Sequence, residues 1–257
     1  MCAFSFFLFS THVRSLNGVT PSSITIKYAD DVMTLIPLTR DSNIDVIIKK
    51  EVSHVESWCN SHGMKLNISK TQQMLCKKQH SSNDLYYTEP MCTKLKILGV
   101  MYDENLNWST QIDSTIKKAN QNCFLLRKLK QILTKKEMIN VYNAFILSNL
   151  EYCSALFVGM SNTNSEKLER VRRKCHRIVC GRNCKCAAFT PLYIRRFHHA
   201  LTLLKSMKQP DHLLHVLLPP SLSHSNKFLL PTIRTKRRHN SFLPFCVSLY
   251  NRVGDSL

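Results

Sequence analysis

Between Ile24 and Ile36, apolar residues alternate with polar ones on both sides of an adjacent acidic pair, Asp30-Asp31, and Pro37 closes the run. A period of two marks β-strands, and the acids interrupt it where a tight turn belongs. A hairpin with both carboxylates at its tip is therefore the element that the neighbouring chain has to accommodate. From Asp41 the period changes: Ile44, Ile47, Ile48, Val52, Val55, Trp58 and Cys59 form one helical stripe, and Gly63 stands where a left-handed C-terminal cap is expected. Leu66-Asn67-Ile68 and Met74-Leu75-Cys76 read as short strands, His80–Asp84 as a polar loop, and Leu95–Tyr102 as a further strand-like run broken at Gly99. Sheet and helix in such close succession predict an α+β fold.

After Asn105 the pattern is helical. Ile112, Ile116, Ala119, Cys123, Leu126, Leu129 and Leu133 follow one face, and Thr134-Lys135-Lys136-Glu137 is a capping box that restarts the chain as a second helix. Met138, Val141, Tyr142, Phe145 and Ile146 form the expected inner face of that helix. A third helix is predicted from about Asn164 to just before Gly181. At 100° per residue its apolar arc (Leu168, Val171, Cys175, Ile178, Val179) separates from a basic arc of Lys167, Arg170, Arg173, Lys174 and Arg177. Beyond it, prolines at 191, 210, 219, 220, 231 and 244 leave room for one helix, about Pro191 to Lys208. The expected organisation is 1–105, 106–180 and a basic, proline-punctuated extension, 181–257.

Charge narrows the partner. The chain carries a formal +19, divided as 11 basic and 8 acidic residues over 1–100 (+3) and 25 and 9 over 101–257 (+16). A strongly basic half on a nearly neutral one points to a polyanion, of which nucleic acid is the commonest. Five cations along one helical face, with only Glu166 among them, repel one another unless such a partner is present. The eleven cysteines show no ladder of spacings and read as free thiols in a reducing compartment. The apolar opening, Met1–Phe9, has no basic flank or cleavage site and is too short to cross a bilayer. It reads as a buried helix whose beginning is missing, in an intracellular protein, cytoplasmic or nuclear, with no membrane association.

Paired carboxylates at a hairpin tip suit two-metal phosphoryl transfer, in which two Mg²⁺ ions about 3.5–4 Å apart serve the attacking and leaving oxygens. Tyr28-Ala29-Asp30-Asp31 between two apolar strands resembles the signature hairpin of reverse transcriptase palms. The resemblance continues in order through Trp58-Cys59-Asn60, Met64–Thr71, Lys96–Asp103 with Leu106 and Trp108, Leu125–Leu129, Tyr142–Ile146, Leu150–Ser154, Lys167–Val171 and Arg234–Arg237 with Ser241-Phe242 and Asn251. In that order these blocks are similar to the half-palm, primer-grip hairpin, thumb and closing segment of LINE-type (non-LTR) retrotransposon reverse transcriptases. Upstream, Phe7–Ser10 is similar to the tail of the palm helix, with Phe6 or Phe7 where the family has proline.

The resemblance implies a partial palm followed by a helical thumb, RNA-directed DNA polymerase chemistry with Mg²⁺, and RNA and DNA as partners. It implies Asp30 as a metal ligand with Asp31 beside it, Lys70 as the proton donor to the departing pyrophosphate, Tyr28 near the primer terminus, and Leu98 and Gly99 against the primer backbone. One departure limits the activity. Residues 1–29 contain neither Asp nor Glu, so the partner aspartate of an earlier strand is absent, as are the segments for template and nucleotide. The expectation is a catalytically incomplete fragment that retains nucleic-acid binding. A domesticated binding protein, or the downstream part of an active enzyme, stays open beside it. Cys175, His176, Cys180, Cys184 and Cys186 form a further cluster that is able to offer zinc ligands, at a spacing that fits no established finger.

Overall fold

The computed structural model describes residues 3–20, 22–39, 42–76, 88, 90–182, 186–222, 227–230 and 232–253, with side chains from Leu8 onward. It is mixed helix and sheet, with two small antiparallel hairpins, an α+β architecture. By its internal contacts the chain divides into two units, Met1–Leu95 and Lys96–Leu257.

The first unit contains α1 (Ala3–His12), the hairpin of β1 (Ile24–Tyr28) and β2 (Asp31–Leu35), and α2 (Ile44–Ser61). Asn43 caps α2 by accepting from the Val46 N–H, and Gly63 follows the helix at φ +68°, the left-handed position read from the sequence. Buried Glu51 is the polar tie between α2 and the preceding loop, its carboxylate accepting from the N–H groups of Val19 (3.1 Å) and Thr20 (2.9 Å). Burial opposes ionisation of this carboxyl, but the Thr20 and Val19 bonds, with His54 nearby, hold it below its ordinary value. At the end of α2, Trp58 stacks on His62 at 4.0 Å and donates its indole N–H to Ser15.

Among the described side chains of α1, Leu8–His12, Leu8 is exposed and none is buried, whereas Val13 and Leu16 just after the helix are buried. Two expected strands do not form in this unit. The segment 66–70 is not a strand: Ile68–Lys70 is a 3₁₀ turn because the Asn67 side chain accepts from the Lys70 N–H and Ser69 hydroxyl, a local bond that competes with sheet pairing. Met74–Cys76 is irregular as well. The loop His80–Asp84 lies outside the described residues.

The second unit begins within the hairpin of β3 (Lys94–Ile97) and β4 (Val100–Asp103) and continues with α3 (Ser109–Leu129). Buried Gln111 joins strand to helix, accepting from the Met101 N–H at 2.8 Å and donating to Thr115. The Thr134–Glu137 capping box forms with both reciprocal bonds and opens α4 (Lys135–Val141). A π-helical turn, Tyr142–Leu147, continues α4 into the short α5 (Ser148–Glu151). It buries Tyr142, Ile146 and Leu147 while leaving Phe145, expected inside, exposed. Then comes α6 (Asn162–Cys180), capped by Ser161 and stopped at Gly181. One core unites α3, α4, the π turn, α5 and α6 around Ile112, Cys123, Leu126, Tyr142, Leu168 and Cys175.

The region after 181 is more than an extension with one helix. α7 (Leu192–Met207) and α9 (Phe242–Val253) close a second core of Val158, Ala200, Leu201, Leu204, Phe228, Cys246, Val247 and Tyr250, with the short α8 (Lys236–His239) preceding α9. Pro191 cannot supply a side-chain cap for α7, and Glu169 of α6 replaces it, accepting from the N–H groups of Leu192 and Tyr193 and from Arg172. Gly159 passes so close to Asn240 that a Cβ there falls 2.0 Å from its carbonyl oxygen.

Glu51→Ala is expected to leave two amides of the first unit without their acceptor, at about 1–3 kcal/mol. Because the folded carboxyl is depressed, its stabilisation is present above the unfolded value and is lost as pH falls through the folded one. Hydrogen exchange of residues 13–61 in the full chain checks this: the gap between parent and variant at neutral pH should narrow in acid.

Candidate functional site

The hairpin places the acidic pair as its pattern implies. Strand register pairs Ile24 with Leu35, Ile26 with Met33 and Tyr28 with Asp31, leaving Ala29 and Asp30 as a two-residue turn. Only Ala29 of that turn takes a positive φ, +51°, a conformation that favours glycine and strains alanine. Asp30 and Asp31 are both exposed at the tip, beside exposed Tyr28. Cross-strand partners share a face, so Ile24, Ile26, Tyr28 and Leu35 lie together on an exposed apolar side. On the opposite side Lys27 reaches back to the carbonyls of Val13 and Arg14, each at 2.9 Å.

The fit to Mg²⁺ is partial. Two exposed carboxylates are suitable hard ligands, yet among the described residues no group of three or more His, Cys, Asp or Glu side chains converges to hold an ion. A pair of divalent ions needs carboxylates from a second element. Asp30 and Asp31 therefore fit one edge of a two-ion site and not the whole. Lys70 is exposed at the end of the 3₁₀ turn, and no hydrogen bond or ion pair joins its side chain to either aspartate.

Leu98 and Gly99 form the turn of the second hairpin, both at positive φ (+46° and +84°), the combination of a type I′ turn. Leucine is strained there, and Tyr152 braces it: its hydroxyl donates to the Leu98 carbonyl at 2.6 Å, and its ring lies 3.4 Å from where a Cβ on Gly99 falls. The sequence gives no sign of this brace, which links positions more than fifty residues apart.

The basic arc of α6 lies alongside α3. Contacts advance in step along both helices: Ser109 with Asn164, Asp113 with Lys167, Asn120 with Lys174, and Cys123 with Cys175. The two helices are therefore parallel, with a shallow groove lined by Asp113, Ile116, Asn120, Lys167, Arg170 and Lys174 between them. The cations are less bare than their spacing implies. Lys167 pairs with Asp113 at 2.8 Å, Glu166 serves both Arg170 and Arg173, and Lys174 donates to Asn120. Arg177 is exposed, and its side chain has no hydrogen-bond or ion-pair partner among the described residues. Such surface pairs contribute about 0–1 kcal/mol, so exchanging a carboxylate for a phosphate costs little.

The cysteine cluster divides. Cys175 is fully buried with its sulfur 3.1 Å from that of Cys123, and this bond together with burial keeps the Cys175 proton in place. A protonated core thiol facing α3 is no partner for Cys180 and Cys186 at a metal, and Cys184 lies outside the described residues. No described helix is long and apolar enough to cross a membrane.

Comparison with protein-family models, with characterised proteins and with solved structures finds no match for this chain.

Glu166→Gln removes the negative charge shared by Arg170 and Arg173 while keeping the side-chain shape and an oxygen acceptor. It is expected to tighten binding of a labelled oligonucleotide several-fold at low salt, with the gain shrinking as salt rises. Unchanged affinity at every salt concentration is the contrary result.

Proposed function

We propose that this chain is the downstream half-palm and thumb of a LINE-type reverse transcriptase, catalytically incomplete by itself and binding nucleic acid through the basic face of α6. The observation that carries the reading is the two-residue turn presenting Asp30 and Asp31 together beside Tyr28. The strained Leu98-Gly99 turn supports it, since the same resemblance assigns that turn to the primer backbone. In this reading Asp30 and Asp31 hold one edge of the Mg²⁺ site, whose chemistry is to activate the primer hydroxyl and stabilise the leaving phosphate. On the same reading the exposed apolar face of β1 and β2 is the face that the rest of a palm covers, while the open strand edges are where its sheet continues.

The +16 of residues 101–257 favours a polyanion in any case, so a domesticated binding protein with no catalytic role is the second reading. The two differ in what the acidic tip does. A fusion that supplies the whole upstream part, with its aspartate-bearing strand and its template and nucleotide segments, gains primer extension dependent on Asp30 in the first reading and gains none in the second.

The chain alone, given primer, template, nucleotides and Mg²⁺ or Mn²⁺, is expected to show no extension above background, and Asp30→Ala to leave that background unchanged. Extension abolished by Asp30→Ala would overturn the incomplete-fragment reading. Binding is expected to be insensitive to sequence and steeply dependent on salt, with a log–log slope of about −3 to −4 on duplex if three or four side chains touch phosphate. Arg170→Glu with Arg173→Glu should flatten that slope and weaken unrelated sequences equally. Circular dichroism should stay unchanged, because Leu168, Val171 and Cys175 carry the packing.

A further inference from the structure

We propose that the groove between α3 and α6, together with Phe124 one turn beyond it on α3, is a single-strand site in which that ring is a platform for an unpaired base while cations of both helices hold the backbone. The proposal rests on the nucleic-acid reading above and adds the form of the ligand and the residue that selects it.

The placement follows from the helix pair. Asp113, Lys117, Asn120, Phe124 and Lys128 recur at spacings of four, three, four and four, which puts them on one ridge of α3. Asp113 and Asn120 bond to Lys167 and Lys174, so this ridge borders α6. Phe124 continues it by one turn beyond Asn120. Because α3 and α6 advance in parallel, that turn is level with Arg177 and Ile178, just past the Cys123–Cys175 contact.

Phe124 is 61% exposed, a large apolar ring set among cations. Lys128 lies over it, 4.8 Å from the ring centroid, and Lys117, Arg127 and Arg177 are exposed nearby on the two helices. A duplex turns its base faces inward and offers phosphates alone to such a surface. A single strand offers phosphates and a π-face together, and stacking on an aromatic side chain accepts any base. The Lys128 ammonium takes one side of the ring, and the exposure of Phe124 leaves most of the ring accessible to a base.

The test uses the full chain, a labelled oligo(dA) single strand and a dA·dT duplex of equal length, with affinities read by fluorescence anisotropy at several salt concentrations. Phe124→Ala is expected to weaken single-strand binding by about 5- to 150-fold and to leave duplex binding unchanged. Phe124→Trp is expected to keep single-strand affinity, with quenching of fluorescence that a parent chain lacks when the single strand, but not the duplex, is added. Arg170→Glu with Arg173→Glu should weaken both probes. If Phe124→Ala lowers neither affinity, or lowers both alike with unchanged circular dichroism, the single-strand proposal is overturned and the nucleic-acid reading stands. Should Phe124→Ala misfold, an unquenched Phe124→Trp overturns it instead. If the parent binds neither probe at low salt, the nucleic-acid reading itself falls and the proposal with it.

Discussion

The parallel packing of α3 on α6 is the contact from which the second unit is built. Its centre is dry and close: Ala119, Cys123 and Cys175 are fully buried, and the two sulfurs stand 3.1 Å apart. The Cys175 hydrogen bond, working against burial, pulls the Cys123 thiol below its ordinary value, with Lys174 and Arg127 adding to the effect. Neighbouring helices that run in the same direction need a return segment, and 130–161 provides it as α4, the π turn, α5 and a 3₁₀ turn. The π turn has a packing reason here. An extra residue in the turn rotates the face that follows, so that Tyr142, Ile146 and Leu147 all reach the core. The Phe145 carbonyl that the turn displaces is taken up by the side-chain amides of Asn122 and Asn149.

Much of this unit was legible in the sequence, for reasons that are local. The capping box at Thr134–Glu137, the boundaries of α6 and the separation of its basic and apolar arcs all depend on residues within a few turns of one another. What escaped detection depends on distant partners. α9 carries Pro244, which reads as a breaker, yet proline in a first turn loses no hydrogen bond, and the helix is held by a core that also needs α7 and Val158. Glu169 reads as one more charge on an amphipathic helix and proves to be the cap of another. The Tyr152 brace and the Cys123–Cys175 contact both cross more than fifty residues. The strands expected at 66–68 and 74–76 follow from apolar content alone, which says nothing about a pairing partner.

At the candidate sites the same division holds. The acidic hairpin needs only its own two strands, and its register, turn and exposed carboxylates are those its alternation implies. The basic arc of α6 was also readable, but its electrostatics were not. The expectation of mutually repelling cations overlooked Asp113, which is remote in sequence and adjacent in space to Lys167, and undervalued Glu166, which serves two arginines. The ridge of α3 that carries Phe124 escaped notice because an exposed phenylalanine has no meaning until a neighbouring helix shows which groove it borders.

The balance of charge in this half follows from how its few acids are employed. Asp103 is buried and accepts from the Asn107 N–H, Glu137 closes a capping box, Glu151 pairs with Arg195, and Glu169 caps α7 while holding Arg172. Each of these carboxylates satisfies a fixed donor within the fold. That leaves Asp113 and Glu166 as the acids on the α3–α6 face, set against Lys117, Lys128, Lys167, Arg170, Arg173, Lys174 and Arg177. Folding therefore leaves the α3–α6 face with seven cations against two acids, because Glu151 and Glu169 are engaged by Arg195 and Arg172 away from it and Asp103 is buried. A polyanion approaching this face competes with two surface carboxylates, Asp113 and Glu166, and with the Asn120 amide, and exposed pairs of this kind are easily exchanged.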